Sequence, residues 1–386
     1  MSHLRDLENN PDAPASKRHK VSKTIESCIV RRFDTRKRLA WSEFLATRCF
    51  LHVPEDLFDV FELASELYPD RPCEAFVATL GIRLCGPFDL LATADQEEVV
   101  VDKPLYLHGR FFIDPPEVAT VMADSCSDVG RHWGYFRDAP DQVPEYVVCA
   151  ENSRECKFDI VGGSLFDVLQ RRLLERRSTL GGDVKTAHLL EKIETHCNES
   201  ACVRGRAVAA LRAKRAKTSV ATSLHHLGIV VPLDVKTNTG YRELPTTGKD
   251  LADLLQQLKS TSSKNSPARH RLSDLVTRAT IASDECDFGT GLLLGLDVFT
   301  AGSCLEKQAL QLLRVAYLLL RRTDFYKVAS GHCKYRNEAD PSAPIDSITS
   351  SGPKTLNEES EATTIKLPPS PVTLHRAGGS IDAAWN

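Results

Sequence analysis

The spacing of apolar residues changes along the chain, and this change constrains the fold more than any other feature. Residues 57–68 carry an apolar stripe at helical spacing, and Pro69 follows it. Short β-type runs at 80–86, 104–112 and 146–149 then alternate with turn residues. Helical and strand spacing in one chain predict an α+β fold, here two mixed α/β domains with disordered N- and C-terminal tails.

Shifts in composition divide the chain into four segments. Residues 1–35 are polar and basic, and residues 336–386 are rich in Ser, Thr and Pro. Neither segment has enough apolar surface to order itself, so we predict disordered tails. Between them we predict an N-terminal α/β domain at 36–180 and a C-terminal helix-rich domain at 181–335. The run Lys17–Lys20 fits either a nuclear-import signal or a solvated charge cluster.

Local patterns predict several element boundaries inside these domains. Ser164 and Asp167 form a capping box that begins a helix, and residues 227–233 are typical of a buried strand. The glycines between Gly289 and Gly295 resemble a phosphate-binding loop only superficially. The pattern places neither a strand before them nor a helix with a free N-terminus after them.

Composition indicates a soluble intracellular protein without a metal or membrane site. The chain has 386 residues, a net charge of -3 and 12 cysteines, with no CxxC pair. Its first residues lack the apolar core of a signal peptide, so we expect reduced thiols. The longest apolar stretch, 309–320, is too short to span a bilayer. His196, Cys197 and Cys202 have a spacing that zinc sites use, but no second pair accompanies them.

An acidic turn does not fit a purely structural interpretation. Asp284, Glu285 and Asp287 lie within four residues where a helix should end. The dipole of a helix is itself negative at that end, so folding gains nothing from acids there. Arg242, in a second unusual segment at 240–245, can clamp a carboxylate through two nitrogens. The alternative is an acidic surface turn without a role.

These two segments resemble the histone PARylation factor family. The similarity covers roughly residues 50–327 in the same order, whereas residues 304–307 depart from the family pattern, which leaves Lys307 without an assigned role. The matching stretches are YRELP (241–245), DECDFGTGL (284–292), LGLDVF (294–299), LGIRLCGPFDLL (80–91), RFFIDPPE (110–117) and GYFRDAPDQVPEYV (134–147).

The resemblance implies a function as an accessory factor. Members bind the catalytic domain of DNA-damage-activated poly(ADP-ribose) polymerases and form a joint active site that modifies serine. By this resemblance Glu285 is the catalytic base, while Asp284, Arg242, Tyr241 and Asp287 shape the loop and bind the partner. The chain would need no cofactor of its own, because the polymerase holds NAD. Histones would be substrates, at DNA damage sites in nuclear chromatin, and the chain would be a monomer on its own.

Two other functions remain open from the sequence. A free-standing carboxylate enzyme, such as an ADP-ribose glycohydrolase, would need a second acid at a suitable distance. A non-catalytic chromatin-binding module would use the basic stretch from Arg204 to Lys217. The chain contains no Walker sequence, no Gly-x-Ser-x-Gly elbow and no His-Glu-x-x-His motif. It therefore offers acids but no nucleophile of its own.

Overall fold

The described part of the chain belongs to one compact unit, which extends from Arg32 to Thr373. The predicted import signal Lys17–Lys20 lies outside the described residues. The predicted boundary at residue 180 within the unit stays a prediction. A computed structural model describes residues 35–125, 130–151, 157–180, 184–199, 208–260, 266–348 and 362–369.

Two antiparallel sheets form the β part of the unit. The strands are β1 (Ile82–Leu84), β2 (Glu98–Val101), β3 (Val118–Asp124), β4 (His132–Phe136), β5 (Tyr146–Ala150), β6 (Phe158–Gly162) and β7 (Thr363–Lys366). The larger sheet has the strand order β1-β3-β4-β5-β6, and β2 pairs with β7 in a separate two-stranded sheet.

Helices flank the sheet and make up most of the second half of the unit. Helices and antiparallel sheets together confirm the predicted α+β fold class. The α-helices of the described residues are α1 (Thr35–Arg48), α2 (Asp56–Leu67), α3 (Val77–Leu80), α4 (Pro87–Ala92), α5 (Leu165–Leu180), α6 (Val184–Glu199), α7 (Val208–Thr218), α8 (Gly248–Ser260), α9 (Pro267–Asp284), α10 (Phe288–Phe299), α11 (Glu306–Leu319) and α12 (Thr323–Tyr335).

Three apolar clusters hold these elements together. The first packs α1, α2, α5 and α6 on one face of the large sheet. A smaller cluster on the other face joins strand residues to Leu211 and Leu227. The third cluster joins α8 to α12 around α10, whose residues from Gly289 to Phe299 are all buried. A helix that is apolar all round is stable only inside a core, so α10 is a fixed support for whatever lies at its ends.

Two predictions of local structure were wrong. Residues 104–112 contain a short 3-10 helix, Leu105–Leu107, instead of a strand. Residues 227–233 form no named strand, and Ile229 makes only an isolated bridge to Ala221. In each case apolar residues are buried by tertiary packing, which the local pattern does not distinguish from sheet formation.

The predicted disorder of 336–386 was wrong for the two segments that the structure describes. Ile345 exchanges backbone hydrogen bonds with Gly109 and Arg110. Strand β7 pairs with β2, and the Trp41 indole donates to the carbonyl of Pro369 at 3.0 Å. Scattered apolar residues such as Ile345 and Leu367, both buried, dock these polar segments onto a preformed surface. Composition alone does not reveal such docking.

Candidate functional site

The acidic turn lies where α9 ends, as predicted. The N–H of Asp287 donates to the carbonyl of Ala282 at 2.8 Å, and the N–H of Cys286 donates to that of Ser283 at 3.1 Å. These two bonds define a Schellman motif, in which the residue before the last donor adopts a left-handed conformation. Cys286 takes that position with φ of 70°. The motif fixes Glu285 as the helix cap and turns the chain directly into α10.

A second segment, 240–242, is fastened to the first turn of α10. The N–H of Gly240 donates to Asp287 Oδ1 at 2.8 Å, and the N–H of Gly289 donates to the carbonyl of Gly240 at 2.8 Å. Thr290 Oγ1 accepts from the N–H of Arg242 at 2.8 Å and donates to its carbonyl at 2.7 Å. These bonds hold the backbone of both segments in one register.

Glycine is required at two points of this junction. Gly240 has φ of 124°, and a Cβ there would lie 2.3 Å from the carbonyl oxygen of Pro232. A Cβ on Gly289 would lie 2.9 Å from the Gly240 oxygen and from Val231 Cγ2. Larger residues would therefore separate the two segments.

The Arg242 guanidinium joins the two segments at the surface. Its Nη1 lies 2.6 Å from Glu285 Oε2, and its Nη2 lies 2.9 Å from Asp287 Oδ2. The predicted clamp is present, and its partners are Glu285 and Asp287. The hydrogen bond that Arg242 donates to Glu285, followed by the charge of that carboxylate, raises the pKa of Arg242. Because the pair is exposed to solvent, it orients the side chains more than it stabilises the fold.

Burial separates the acids of the turn into different roles. Asp287 is 2% exposed and uses both oxygens inside the protein, whereas the Glu285 side chain is 52% exposed. Asp284 is exposed, and no hydrogen bond or ion pair joins its side chain to another described residue. Asp287 therefore shapes the junction, and Asp284 and Glu285 face outward. Glu285 presents a fixed carboxylate that can accept a proton from a group placed above it.

Tyr241 and Thr290 support the junction from below. Tyr241 is half-buried and packs against the helical core, where desolvation raises the pKa of its hydroxyl. Thr290 is 1% exposed, and the sequence did not predict its role in the junction. Its only sequence signal was its place between two glycines, which does not indicate that a hydroxyl bridges to a segment about fifty residues earlier.

Other titratable and basic residues do not join this site. His225 is buried, and desolvation lowers its pKa to about 3, so it is a neutral core residue. Arg215 is buried in an ion pair with Asp138 at 2.5 Å, which removes it from the predicted basic surface. The side chains of His196, Cys197 and Cys202 lie outside the described residues. Among the side chains that are described, no group of three or more His, Cys, Asp or Glu residues is arranged to hold a metal.

Comparison with known proteins identifies the family. The sequence profile of the family described as Histone PARylation factor 1 matches residues 40–336, which is more than half of the chain. The chain belongs to the histone PARylation factor family. Proteins named Histone PARylation factor 1 from Mus musculus and Bos taurus are 35% and 34% identical to it, each over 75% of this chain and 84% and 85% of their own lengths. The Danio rerio protein of that name is 31% identical over 75% of the chain and 83% of its own length.

The family match encloses the whole junction. It begins inside α1 and ends one residue after α12, so Arg242, Asp284 and Glu285 all lie within it. The docked segments at 337–348 and 362–369 lie beyond the match. No helix of the described residues has the length and apolarity needed to cross a membrane. The residues that match the histone PARylation factor family therefore include the whole acidic turn.

Proposed function

We propose that this chain completes the active site of a DNA-damage-activated poly(ADP-ribose) polymerase, with Glu285 as the general base for serine modification. The observation that carries the proposal is the exposed Glu285 carboxylate, fixed at a rigid helix junction and oriented by Arg242 at 2.6 Å. An acid held in place on an outward surface is suited to a site that a partner closes.

The reaction needs a base because its nucleophile is neutral. The serine hydroxyl attacks the anomeric carbon of the nicotinamide ribose of NAD, a C–O bond forms, and the glycosidic bond to nicotinamide breaks. The serine proton passes to the Glu285 carboxylate, and neutral nicotinamide leaves. An aspartate or glutamate acceptor is already ionised and needs no such base. The polymerase supplies NAD, so the chain needs no cofactor of its own.

Docking is assigned to the side chains around the base. Asp284 projects into solvent beside Glu285, and Arg242 has a half-exposed guanidinium whose donors are not all used. Both offer a partner charge-assisted hydrogen bonds once water is excluded. The proposed partner is the polymerase catalytic domain, with histones as substrates in nuclear chromatin and the chain a monomer before it binds.

The geometry gives less support to a free-standing glycohydrolase. Such an enzyme uses two carboxylates that both reach the scissile bond. In the acidic turn, Asp287 is buried and bonded to Gly240 and Arg242, so the second acid would have to be Asp284, whose side chain no described residue holds in place. Turnover of an ADP-ribosylated peptide by the pure chain, without a polymerase, would contradict the accessory function.

The replacement Glu285→Gln tests the proposed chemistry. Gln retains the size of the side chain and one acceptor oxygen but cannot take a proton. Serine modification of a histone peptide by the reconstituted complex should fall by about 10²–10⁴-fold, the usual effect of removing a general base. Modification of Asp and Glu acceptors should persist.

Affinity measurements separate this loss from a loss of docking. The Gln variant should bind the polymerase catalytic domain with nearly unchanged affinity by calorimetry. Arg278→Gln is a control, because Arg278 is exposed on α9 and, among the described residues, pairs only with Asp274. Serine transfer at the wild-type rate by the Glu285→Gln variant would show that the acid is structural. Failure of that variant to bind would show that docking, and not proton transfer, explains the phenotype.

A further inference from the structure

A cleft of about 470 Å³ lies on the large sheet, away from the acidic turn. Trp133, Cys149 and Asp159 form a cross-strand row on β4, β5 and β6 at its floor. Val161 and Val168 add apolar surface between the sheet and α5. The volume is within the range of small-molecule sites, and the cleft combines apolar surface with a few polar groups, as such sites do.

Positive charge dominates the walls of this cleft. Five cationic and three anionic side chains line it, so an anion is favoured inside. Two of the cations are already engaged. Arg131 Nε lies 2.8 Å from Glu151 Oε1, and Arg172 Nη2 lies 3.0 Å from the buried Asp124. These ion pairs stiffen the walls.

Two guanidinium groups that line the cleft keep unused donors. Within the described residues, neither Arg171 on α5 nor Arg212 on α7 forms an ion pair with a carboxylate. Arg212 uses only its Nε, which donates to the carbonyl of Ile160 at 3.2 Å. That bond anchors the side chain and leaves both terminal nitrogens available. Two arginines with free donors in one cleft are well suited to a diphosphate, because each guanidinium can bind two phosphate oxygens.

We propose that this cleft binds a nucleoside diphosphate unit, with the diphosphate on Arg171 and Arg212. The nucleoside would cover the apolar surface of the cleft. Asp159, at one end of the cross-strand row, would accept a hydrogen bond from a ribose hydroxyl. Resting on the proposed function, we identify the unit as ADP-ribose, because that reaction places ADP-ribose groups on proteins close to this chain. The source is either free ADP-ribose or a unit attached to a modified protein.

The observations favour a single diphosphate unit over duplex DNA. A nucleoside diphosphate carries about two to three negative charges, which the excess of two cations balances within the cleft. Duplex DNA requires an extended basic surface that follows many phosphates. Here the cations line one cleft together with the carboxylates of Glu151, Asp159 and Glu175, which would repel the phosphates of a duplex.

The test is calorimetric titration of the full chain, without a polymerase, with ADP-ribose. We expect binding that also occurs with ADP and is lost with ribose 5-phosphate, which lacks a diphosphate. The double variant Arg171→Gln, Arg212→Gln should weaken it by about tenfold or more for each arginine, since each loses charged hydrogen bonds. Titration with poly(ADP-ribose) distinguishes the sources, because stronger binding of the polymer points to attached units.

A matched control removes the same charge elsewhere. Arg314 and Lys217 are exposed and do not line the cleft, so the double variant Arg314→Gln, Lys217→Gln should bind normally. Thermal unfolding checks that both double variants are folded. The proposal is overturned if the wild-type chain binds none of the diphosphate ligands, if both double variants weaken equally, or if duplex DNA displaces ADP-ribose at equal concentration. Because no polymerase is present, such a failure leaves the serine reaction of Glu285 untouched.

Discussion

At the scale of single residues, Arg242 does most to define the site. It connects the 240–245 segment to Glu285 and Asp287 through two nitrogens of one planar group. Lysine carries one charged nitrogen and could not hold two carboxylates in this geometry. The side chain therefore fixes where the Glu285 carboxylate points before any partner is present.

Replacing Arg242 should weaken docking more than folding. We expect Arg242→Ala to lower the affinity for a polymerase catalytic domain by about tenfold to a thousandfold, because a charged contact closed off from water is lost. The melting temperature of the free chain should fall by no more than about a few degrees, since the contact with Glu285 is exposed and the buried Asp287 carboxylate keeps its bond from the N–H of Gly240. Calorimetry and thermal unfolding measure the two effects. Arg278→Ala serves as the control, and equal affinity of both variants with wild type would exclude the docking role.

Replacing Asp284 should raise the stability of the free chain while it weakens binding to the polymerase. An acid in the last turn of a helix opposes the helix dipole, so Asp284→Ala should stabilise the free chain by about 0.3–1 kcal/mol. The same replacement should weaken polymerase binding if the carboxylate meets a cation there. A variant that is both more stable and weaker in binding would identify Asp284 as a residue kept for its partner. A variant that is less stable would show that the carboxylate has a structural role in the free chain.

At the scale of elements, the turn between α9 and α10 depends on a left-handed residue. Cys286 holds φ of 70°, a conformation in which glycine is usual at the end of a Schellman motif. Cys286→Gly should keep the melting temperature within a few degrees and retain serine modification. Cys286→Val should lower both, because a β-branched residue costs about 1–2 kcal/mol or more in this region. A Val variant as stable as the Gly variant would show that the turn has another conformation.

The pH dependence of stability should report on Asp297, in the last turn of α10. Desolvation raises the pKa of Asp297 from 3.8 to about 7, against the effect of a 2.7 Å bond from the N–H of Leu224. Between those two values the folded chain keeps a proton that the unfolded chain has released. Stability should therefore fall as pH rises from about 4 to 7, by on the order of a few kcal/mol in all.

Asp297→Asn should remove this contribution. Asn keeps an acceptor for the N–H of Leu224 but does not ionise. Urea unfolding of variant and wild type at pH 5 and pH 8 measures the effect. Relative to wild type, the variant should have a larger free energy of unfolding at pH 8 than at pH 5. His225 titrates with the opposite sign, since burial lowers its pKa to about 3, but it is present in both proteins and cancels. A difference that is constant with pH would contradict the prediction.

The sequence predicted elements well where the signal was local. Ser164 and Asp167 do cap α5, with the N–H of Phe166 donating to Ser164 Oγ at 3.1 Å and the N–H of Ser164 to Asp167 Oδ2 at 3.1 Å. The end of α9 and the nearness of Arg242 to its acids were also predicted. The contribution of Thr290 was not, because its bonds to Arg242 join distant segments.

At the scale of the whole molecule, the C-terminal segment shows the limit of composition. Residues after 336 are polar enough to predict disorder, yet β7 pairs with β2 from Glu98 to Val101. A strand that is only partly buried gains most of its stability from the strand it pairs with. For β7 that strand is β2, which lies more than 250 residues earlier in the chain. The family match ends at residue 336, so the docked segments lie outside the residues that match the family.

Two truncations test what the docked segment contributes. Ending the chain at residue 336 removes the buried side chains of Ile345, Ser347 and Leu367, along with the bond from Trp41 to Pro369. Burial of an aliphatic side chain contributes about 1.5–3 kcal/mol before the entropy of ordering the segment is subtracted. The melting temperature should therefore fall by several degrees, at about 2–4 °C for each net kcal/mol. Ending the chain at residue 373 keeps all of these contacts and should leave it unchanged.

The same truncations separate stability from chemistry. None of the removed residues contacts Arg242 or Glu285 in the described structure. Below its melting temperature, the chain ending at 336 should therefore support serine modification at a rate near that of the full chain. A large loss at low temperature would mean that the C-terminal segment takes part in docking the polymerase. Equal melting temperatures for the two truncated chains would mean that the contacts of Ile345 and Leu367 add no net stability.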